Sequence, residues 1–467
     1  MTGATGANGA NGVTGVTGAN GARRRSAGGA ERADLVIVGA GLAGSAAAWA
    51  ASRRGLSAVV LEAYGPGHGN GSSHGNARIF RRVYADPLYV TMTGQAGELW
   101  RRLEDEAGET LVTVTGGVDF GPSRDPERLY ETLTAHGVPA ELLPPAEAGR
   151  RWPGFDFTGT GPVLYHPEAG VLDPERAMAA MLRLAARRGA DVRSGTRVTS
   201  VEPTTTGAIV RTDHGDITAP VAVLAVGAWL APLMGDRVAL PRLTVTQEQI
   251  LHLPRRSRAG DDGAPWPTFV YGGEGTCFYG LLGGRDGGVP GAVKIGEHHA
   301  GTVTTADARD FAIDPRKRQR ILDFAGRYLP GLDNSNIWAA ATRDLSATDN
   351  SNLPGAATSD LPAADNSNLP GAATSDLPAT DNSKKRGEGG VESTCLYTTT
   401  ASEDFILDRQ GPFVIASACS GHGAKFAPLL GEIIMGLAVG QPSPDPRFTL
   451  ATHLAAGAGD GTQRIFR

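Results

Sequence analysis

The stretch DLVIVGAGLAGSAAAWAASRRGLSAVVLE, residues 34–62, decides the fold. Its apolar run 35–38, rich in β-branched residues, predicts an inner strand of a parallel sheet. Gly39, Gly41 and Gly44 follow as G-x-G-x-x-G. The first glycine permits a tight turn, the second lets backbone approach a pyrophosphate, and the third lets a helix pack close to the sheet. The alanine-rich segment 46–51 predicts that helix, whose N-terminus offers N–H groups and positive dipole to phosphate. Residues 58–61 predict a second buried strand, ending at Glu62, a carboxylate placed to accept the ribose hydroxyls of an adenosine. A lone glycine motif is weak. Here strand, turn, helix, strand and acid fall in order, which reads as a dinucleotide-binding unit rather than a glycine-rich turn in some other α/β protein.

Around this unit lies an ordinary globular chain. With 467 residues, 20% of them charged, and a net charge of −5, it is large enough for two domains. It has no long basic stripe, which argues against a nucleic-acid partner. Cys277, Cys395 and Cys419 are odd in number and far apart, so they form no C-x-x-C pair and no disulfide framework. No H-E-x-x-H or comparable spacing points to a metal. Glycine recurs at every third position from Gly3 to Gly21 without proline. Residues 1–30 are therefore expected to be a disordered tail, the alternative being trimerisation through a longer partner. No separate apolar segment follows Arg23, Arg24 and Arg25 as in a secretory leader, and no stretch is apolar enough to cross a bilayer. The cytoplasm is the default, with no membrane partner.

Further along, an amphipathic helix is expected over 90–106 and strand over 112–120. A capped helix is expected over 173–188, with Pro174 at its first position. Strand pieces follow at 197–201, 208–212 and 221–226, then a helix at 315–328 capped by Asp314. From Asp333 the sequence repeats with a sixteen-residue period, DNSNIWAAATRDLSAT, DNSNLPGAATSDLPAA, DNSNLPGAATSDLPAT. The later copies are too poor in apolar residues to build a core, so 349–390 reads as a largely disordered insertion.

Two segments carry chemistry. GPGHGNGSSHGNARIFRRVY, from Gly65, is a donor-rich loop leading into Arg78, Arg81 and Arg82, read as a helical turn with Arg78 and Arg81 on one face. A solvated basic turn and a clamp for an anionic substrate explain it equally well. Near the C-terminus, STCLYTTTASEDFILD is a strand with Cys395 and Tyr397 on one face. SGHGAKF then opens a helix over 424–439, with free N–H groups expected at 421–423 and Lys425 beside them. That combination suits negative charge, such as that on a reduced isoalloxazine.

Taken together, VIVGAGLAG, SSHGNARIFR, RRWPG, VKIGEHH, TCLYT and SGHGAKF, in this order and approximate spacing, resemble the monomeric sarcosine oxidase and N-methyltryptophan oxidase family of flavoprotein amine oxidases. The resemblance covers roughly residues 33–440 outside the insertion. It implies an α/β fold in which a Rossmann-type FAD-binding domain is interleaved with a mixed-sheet substrate-binding domain. The division expected is 31–83, 160–239 and 404–442 for FAD, and 84–159, 240–348 and 391–403 for substrate, with 443–467 a C-terminal tail. FAD is implied to be covalently attached through Cys395, although a lone cysteine is by itself usually a small buried hydrophobe. Gly39, Gly41, Gly44, Glu62, Gly421 and Gly423 complete the cofactor site. Lys294 matches the lysine of oxygen activation, Arg81 and Lys425 the pair that holds the substrate carboxylate, and Arg78 the arginine over the flavin. His298, Tyr279 and Tyr397 match residues lining the amine pocket. His74 and His422 read as structural or flavin-contacting.

Ala77 stands where sarcosine-oxidising members carry threonine, and Glu297 where they carry tyrosine. Both were expected to border the substrate, so a larger N-alkyl or cyclic amino acid is as good a candidate as sarcosine. The implied activity is oxidation of a secondary or cyclic amino acid by O2, giving H2O2 and an imine that hydrolyses, by a monomeric enzyme. A single dinucleotide fingerprint argues against a second nucleotide site. The alternatives are a dehydrogenase of the same fold that reduces a quinone or carrier protein, and an interaction protein with a vestigial flavin domain.

Overall fold

The computed structural model describes residues 30–65, 67–256, 266–284, 291–334 and 392–456. The triplet segment and the sixteen-residue insertion lie outside them. Leu35–Val38 and Ala58–Leu61 form the strands expected and pair in parallel, Leu35 opposite Ala58 and Val38 opposite Leu61. They belong to a six-stranded sheet ordered Asp191–Arg193, Ala58–Leu61, Leu35–Val38, Ala222–Leu224, Phe413–Ser417, Ile406–Gln410. Only the last pair is antiparallel.

Continuous apolar runs are needed because both faces of this sheet are covered. Leu35, Ile37, Ala58 and Val60 pack with the helices Leu42–Arg53, Pro87–Ala107, Pro174–Arg187 and Ala427–Ala438. Val36, Val38, Val59 and Leu61 face the other way, onto Val201, Val210 and Ile217 of a four-stranded sheet. Each such side chain, fully buried, contributes about 1.5–3 kcal/mol. The predicted caps form as read: Asp173 accepts from Arg176 N–H and Asp314 from Arg316 N–H, each before a proline in the first turn.

The second layer is a nine-stranded mixed sheet built around Thr244–Leu253, which pairs antiparallel with both Val293–Glu297 and Glu392–Thr399. Its outer face carries Leu251, Phe269, Phe278 and Ile295 against Ile321, Phe324 and Tyr328 of the helix Pro315–Tyr328. Its inner face is turned to the dinucleotide-binding sheet, and the cavity lies between the two.

Four local expectations are corrected. Arg78–Phe80 is a strand, not a helical turn; it pairs with Gly170–Leu172 in a small three-stranded sheet. The span 112–120 breaks at Gly116, φ +71°, into Val112–Val114 and Gly117–Phe120, which join different sheets. The C-terminal helix is Ala427–Ala438, preceded by a 3₁₀ turn, Gly423–Phe426, that contains Lys425. The segment read as a tail packs on the body through Phe448, which is fully buried.

Candidate active site

One cavity of about 900 Å³ runs between the layers. It is lined by Gly39, Gly41, Glu62, Arg78, Arg81, Tyr279, Lys294, His298, Cys395, Tyr397, Gly421, Gly423 and Lys425. Of the expected cofactor glycines Gly44 stands behind the wall, and its role is mechanical: a Cβ there would overlap the Gly39 carbonyl oxygen. Gly39 itself has φ +93°, and a side chain on it would sit 2.5 Å from Ala225 O. At the lip, Glu62 accepts hydrogen bonds from Ala40 N–H at 2.9 Å and Tyr64 N–H at 3.0 Å. Burial raises its pKa, but His68 and these two N–H donors outweigh it and hold the carboxyl below its usual range.

The loop before Arg78 folds back on that arginine. Its guanidinium donates to the carbonyls of Ser72 (3.1 Å), His74 (2.7 Å) and Ala77 (2.9 Å), so its charge is aimed by backbone. Ala77 O also accepts from Lys294 Nζ at 3.2 Å, which ties the loop to the mixed sheet. Lys294 is buried. Cys395 faces the same space. Burial pushes its thiol pKa up, opposed by the Arg78 and Lys294 charges. Across the strands Cys395 is paired with Glu248, so both side chains share a face. Cys277 and Cys419 also line the cavity, both free thiols.

The carboxylate-clamp residues meet at the inner wall. Arg81 and Lys425 both approach the ring of Tyr84, which is fully buried, and Lys425 Nζ donates to its hydroxyl at 3.0 Å and to His422 O at 2.7 Å. Arg81 is ion-paired with Asp119 at 3.0 Å, and Asp119 also holds Arg124 at 2.6 Å. The trio thus keeps one net positive charge beside Lys425. Burial and the Arg81 charge hold the Lys425 pKa well below its usual value. Tyr279 and Tyr397 stand by His298, whose Nδ1 is 3.4 Å from Tyr397 Oη. Burial first, then the neighbouring histidines, Arg81 and Lys425, hold His298 well below the ordinary histidine range.

Several site expectations change. Arg78 and Arg81 are not a pair on one face; one serves the loop carbonyls and the other Asp119. The N–H groups of His422 and Gly423 are not free, since both donate to Cys419 O at 2.9 Å. Glu297 does not border the cavity. It lies on the opposite face of its strand from Lys294 and pairs with Arg320 of the outer helix at 2.6 Å. Ala77 does line the cavity.

Residues that the sequence did not bring forward include Asp119, Tyr84 and Arg309. Asp119 had a signal, an acid inside the apolar strand GVDF, where a buried carboxylate needs a partner. Arg309 had none; it donates to Gly69 O, Thr394 O and, at 2.9 Å, Thr394 Oγ1, clamping the donor-rich loop to the Cys395 strand. Among the described residues no cluster of His, Cys, Asp and Glu is arranged to hold a metal ion. Among the described residues no helix is long and apolar enough to cross a membrane.

The profile of the DAO family, described as FAD dependent oxidoreductase, matches residues 34–437. The chain belongs to that family. The oxidoreductase is 30% identical over 417 residues to monomeric sarcosine oxidase of Streptomyces avermitilis, covering 87% of this chain and 93% of that protein. It is 28% identical to the monomeric sarcosine oxidase of Bacillus sp. B-0618 (87% and 92% covered). N-methyl-L-tryptophan oxidase of Yersinia pestis is 25% identical (88% and 96%). Among solved structures, NikD, an amino acid oxidase essential for nikkomycin biosynthesis, superposes with a TM-score of 0.68 at 23% identity (90% and 97%). L-proline dehydrogenase from P. horikoshii gives 0.67 at 18% (92% and 99%). These structural matches speak for the fold. The residues present fit the family's cofactor: a glycine turn that a Cβ would fill, a carboxylate at its lip, and a long cavity between two layers.

Proposed function

We propose that this flavoprotein oxidises a secondary or cyclic α-amino acid with O2, giving an imine that hydrolyses and H2O2. The observation that carries the reading is the meeting of Arg81 and Lys425 about Tyr84, in the cavity that also holds Cys395 and Lys294. Two buried cations with one shared carboxylate between them and Arg124 leave a place for an anion, and a substrate carboxylate supplies it through charge-assisted hydrogen bonds. Tyr279, Tyr397 and His298 wall the adjoining space and keep water from the amine. Bound FAD would supply the two-electron chemistry, as acceptor for a hydride equivalent from the carbon beside the amine and donor to O2. Lys294 gives a fixed positive charge to the oxygen side, and Cys395 anchors the cofactor through a thioether. Ala77, smaller than the threonine of sarcosine-oxidising relatives, widens the wall and favours a substrate larger than sarcosine.

The test is an anaerobic bleaching screen of N-methyl, N-alkyl and cyclic amino acids, followed by oxygen uptake with whatever bleaches the flavin. Bleaching by free amines lacking a carboxylate, unchanged in Arg81→Ala, overturns the amino-acid reading. Bleaching without oxygen uptake turns it to a dehydrogenase.

A further inference from the structure

Two residues beside the cavity, one buried and one half-buried, hold a backbone conformation that L-residues rarely adopt, and they touch each other. His299 has φ +58° and Glu403 φ +67°, and His299 Nε2 lies 3.2 Å from Glu403 Oε1. Such strain persists where the surroundings over-determine it, which happens most at functional sites. Glu403 is 3% exposed, and its second oxygen has no hydrogen-bond partner among the described residues. Its backbone carbonyl lies 3.2 Å from His422 Nε2, so the residue is tied to the cavity wall.

His299 connects inside to outside. Its ring lies against that of the cavity-lining His298, centroids 4.0 Å apart, while 22% of its side chain is exposed. The Tyr397 ring is 5.7 Å from it. Glu248 faces the same pair at 2% exposure; Thr246 donates to its Oε1 at 2.6 Å, and Oε2 has no partner among the described residues. Burial holds the Glu248 carboxyl above its usual pKa, against the Thr246 hydroxyl and the His299 and Lys317 charges. Lys317 is itself bonded to Thr302. Charge therefore has a direction here. Burial, His299, His422, Arg81 and Lys425 oppose a proton on His298, while the Glu403 and Glu248 carboxyls stand behind His299.

We propose that His299, backed by Glu403 and Glu248, carries the proton lost by the bound amine from His298 to solvent. The inference rests on the amine-oxidising reading above. An amino acid bound with its nitrogen as an ammonium must lose one proton before the neighbouring carbon can give up hydride. That proton leaves nitrogen for the His298 imidazole, passes to His299 beside the Glu403 carboxyl, and escapes to solvent, to which 22% of the His299 side chain is open. No electron moves in this step.

The test uses the flavin-loaded protein, an amino acid that bleaches it, and an analogue of that amino acid with no hydrogen on the α-carbon, which isolates the proton step. In weak buffer with a pH indicator, analogue binding releases a proton promptly in the wild type. In His299→Gln that release slows by about tenfold or more, the scale of a lost proton-transfer group, and added imidazole restores it. Glu403→Gln, isosteric and a second chance should His299→Gln fold poorly, moves the acid limb of the bleaching rate to lower pH. Prompt release in His299→Gln with no imidazole effect, or an acid limb unmoved in Glu403→Gln, overturns the relay while leaving the amine-oxidising reading intact. A wild type that no such amino acid bleaches overturns both.

Discussion

Arg81 and Lys425 meet at one aromatic ring: the guanidinium carbon and the ammonium nitrogen each stand 5.5 Å from the centroid of Tyr84. They come from opposite ends of the sequence. Two cations in one dry place repel each other, and Tyr84, Asp119 and the His422 carbonyl make the arrangement tolerable. An anion arriving there is attracted by both.

Arg81→Ala is expected to weaken apparent substrate affinity by about 1.5–3 kcal/mol, the range for a hydrogen bond to a charged group. Asp119 keeps Arg124 as its partner, so melting temperature should change little. Flavin titrations with the amino acid and its methyl ester check this. Equal binding of the two by the wild type would sink the clamp.

Lys425 makes binding pH-dependent. Its pKa is depressed in the free protein by burial and by Arg81, and a bound carboxylate draws it back up. Between the free and bound values, binding takes up a proton, so carboxylate affinity falls as pH rises through that window. Calorimetry of a carboxylate ligand without an amine, in buffers of different ionisation heat, should show proton uptake in the wild type. None should remain at this site in Lys425→Met.

All three cysteines line the cavity, and only one is expected to carry the cofactor. Acid precipitation should leave a yellow pellet from the wild type and from Cys419→Ser, and a colourless one from Cys395→Ser. A yellow Cys395→Ser pellet places the linkage elsewhere.

Lys294→Met should slow reoxidation by O2 while largely sparing anaerobic reduction, because the proposed role of the fixed charge lies in the oxygen half of the cycle. Stopped-flow measurement of the two halves separates them. Equal slowing of both would count against this role.

His74 should contribute to acid sensitivity. Burial first, then Arg78, Arg309 and Lys294, holds its pKa down to about 3. As pH falls from the ordinary histidine value toward 3, the unfolded chain takes up a proton that the folded chain refuses. Stability then drops by up to about 1.4 kcal/mol per pH unit from this group. Thermal melts of the wild type and His74→Asn from pH 7 to 4 should diverge, the variant having the flatter curve.

By itself the sequence determined the elements whose cause is local. The strands Leu35–Val38 and Ala58–Leu61 are apolar runs of strand length, the glycine turn has few conformations open to it, and Asp173 and Asp314 announce helices because each precedes a proline at the first helical position. Strand periodicity also held information that was there to use: counting by two from Lys294 puts His298 on the cavity face and Glu297 on the other. What the tertiary structure alone decided is where charges go. The partner of Arg81 is Asp119, from another sheet; the N–H groups of His422 and Gly423 turn to Cys419 O; and Arg78 forms strand because Gly170–Leu172 pairs with it. A side chain's hydrogen-bond partners are set by whichever distant segment is packed against it, and backbone without a local signal takes the conformation of the strand it meets. Neither is written in the residues on either side.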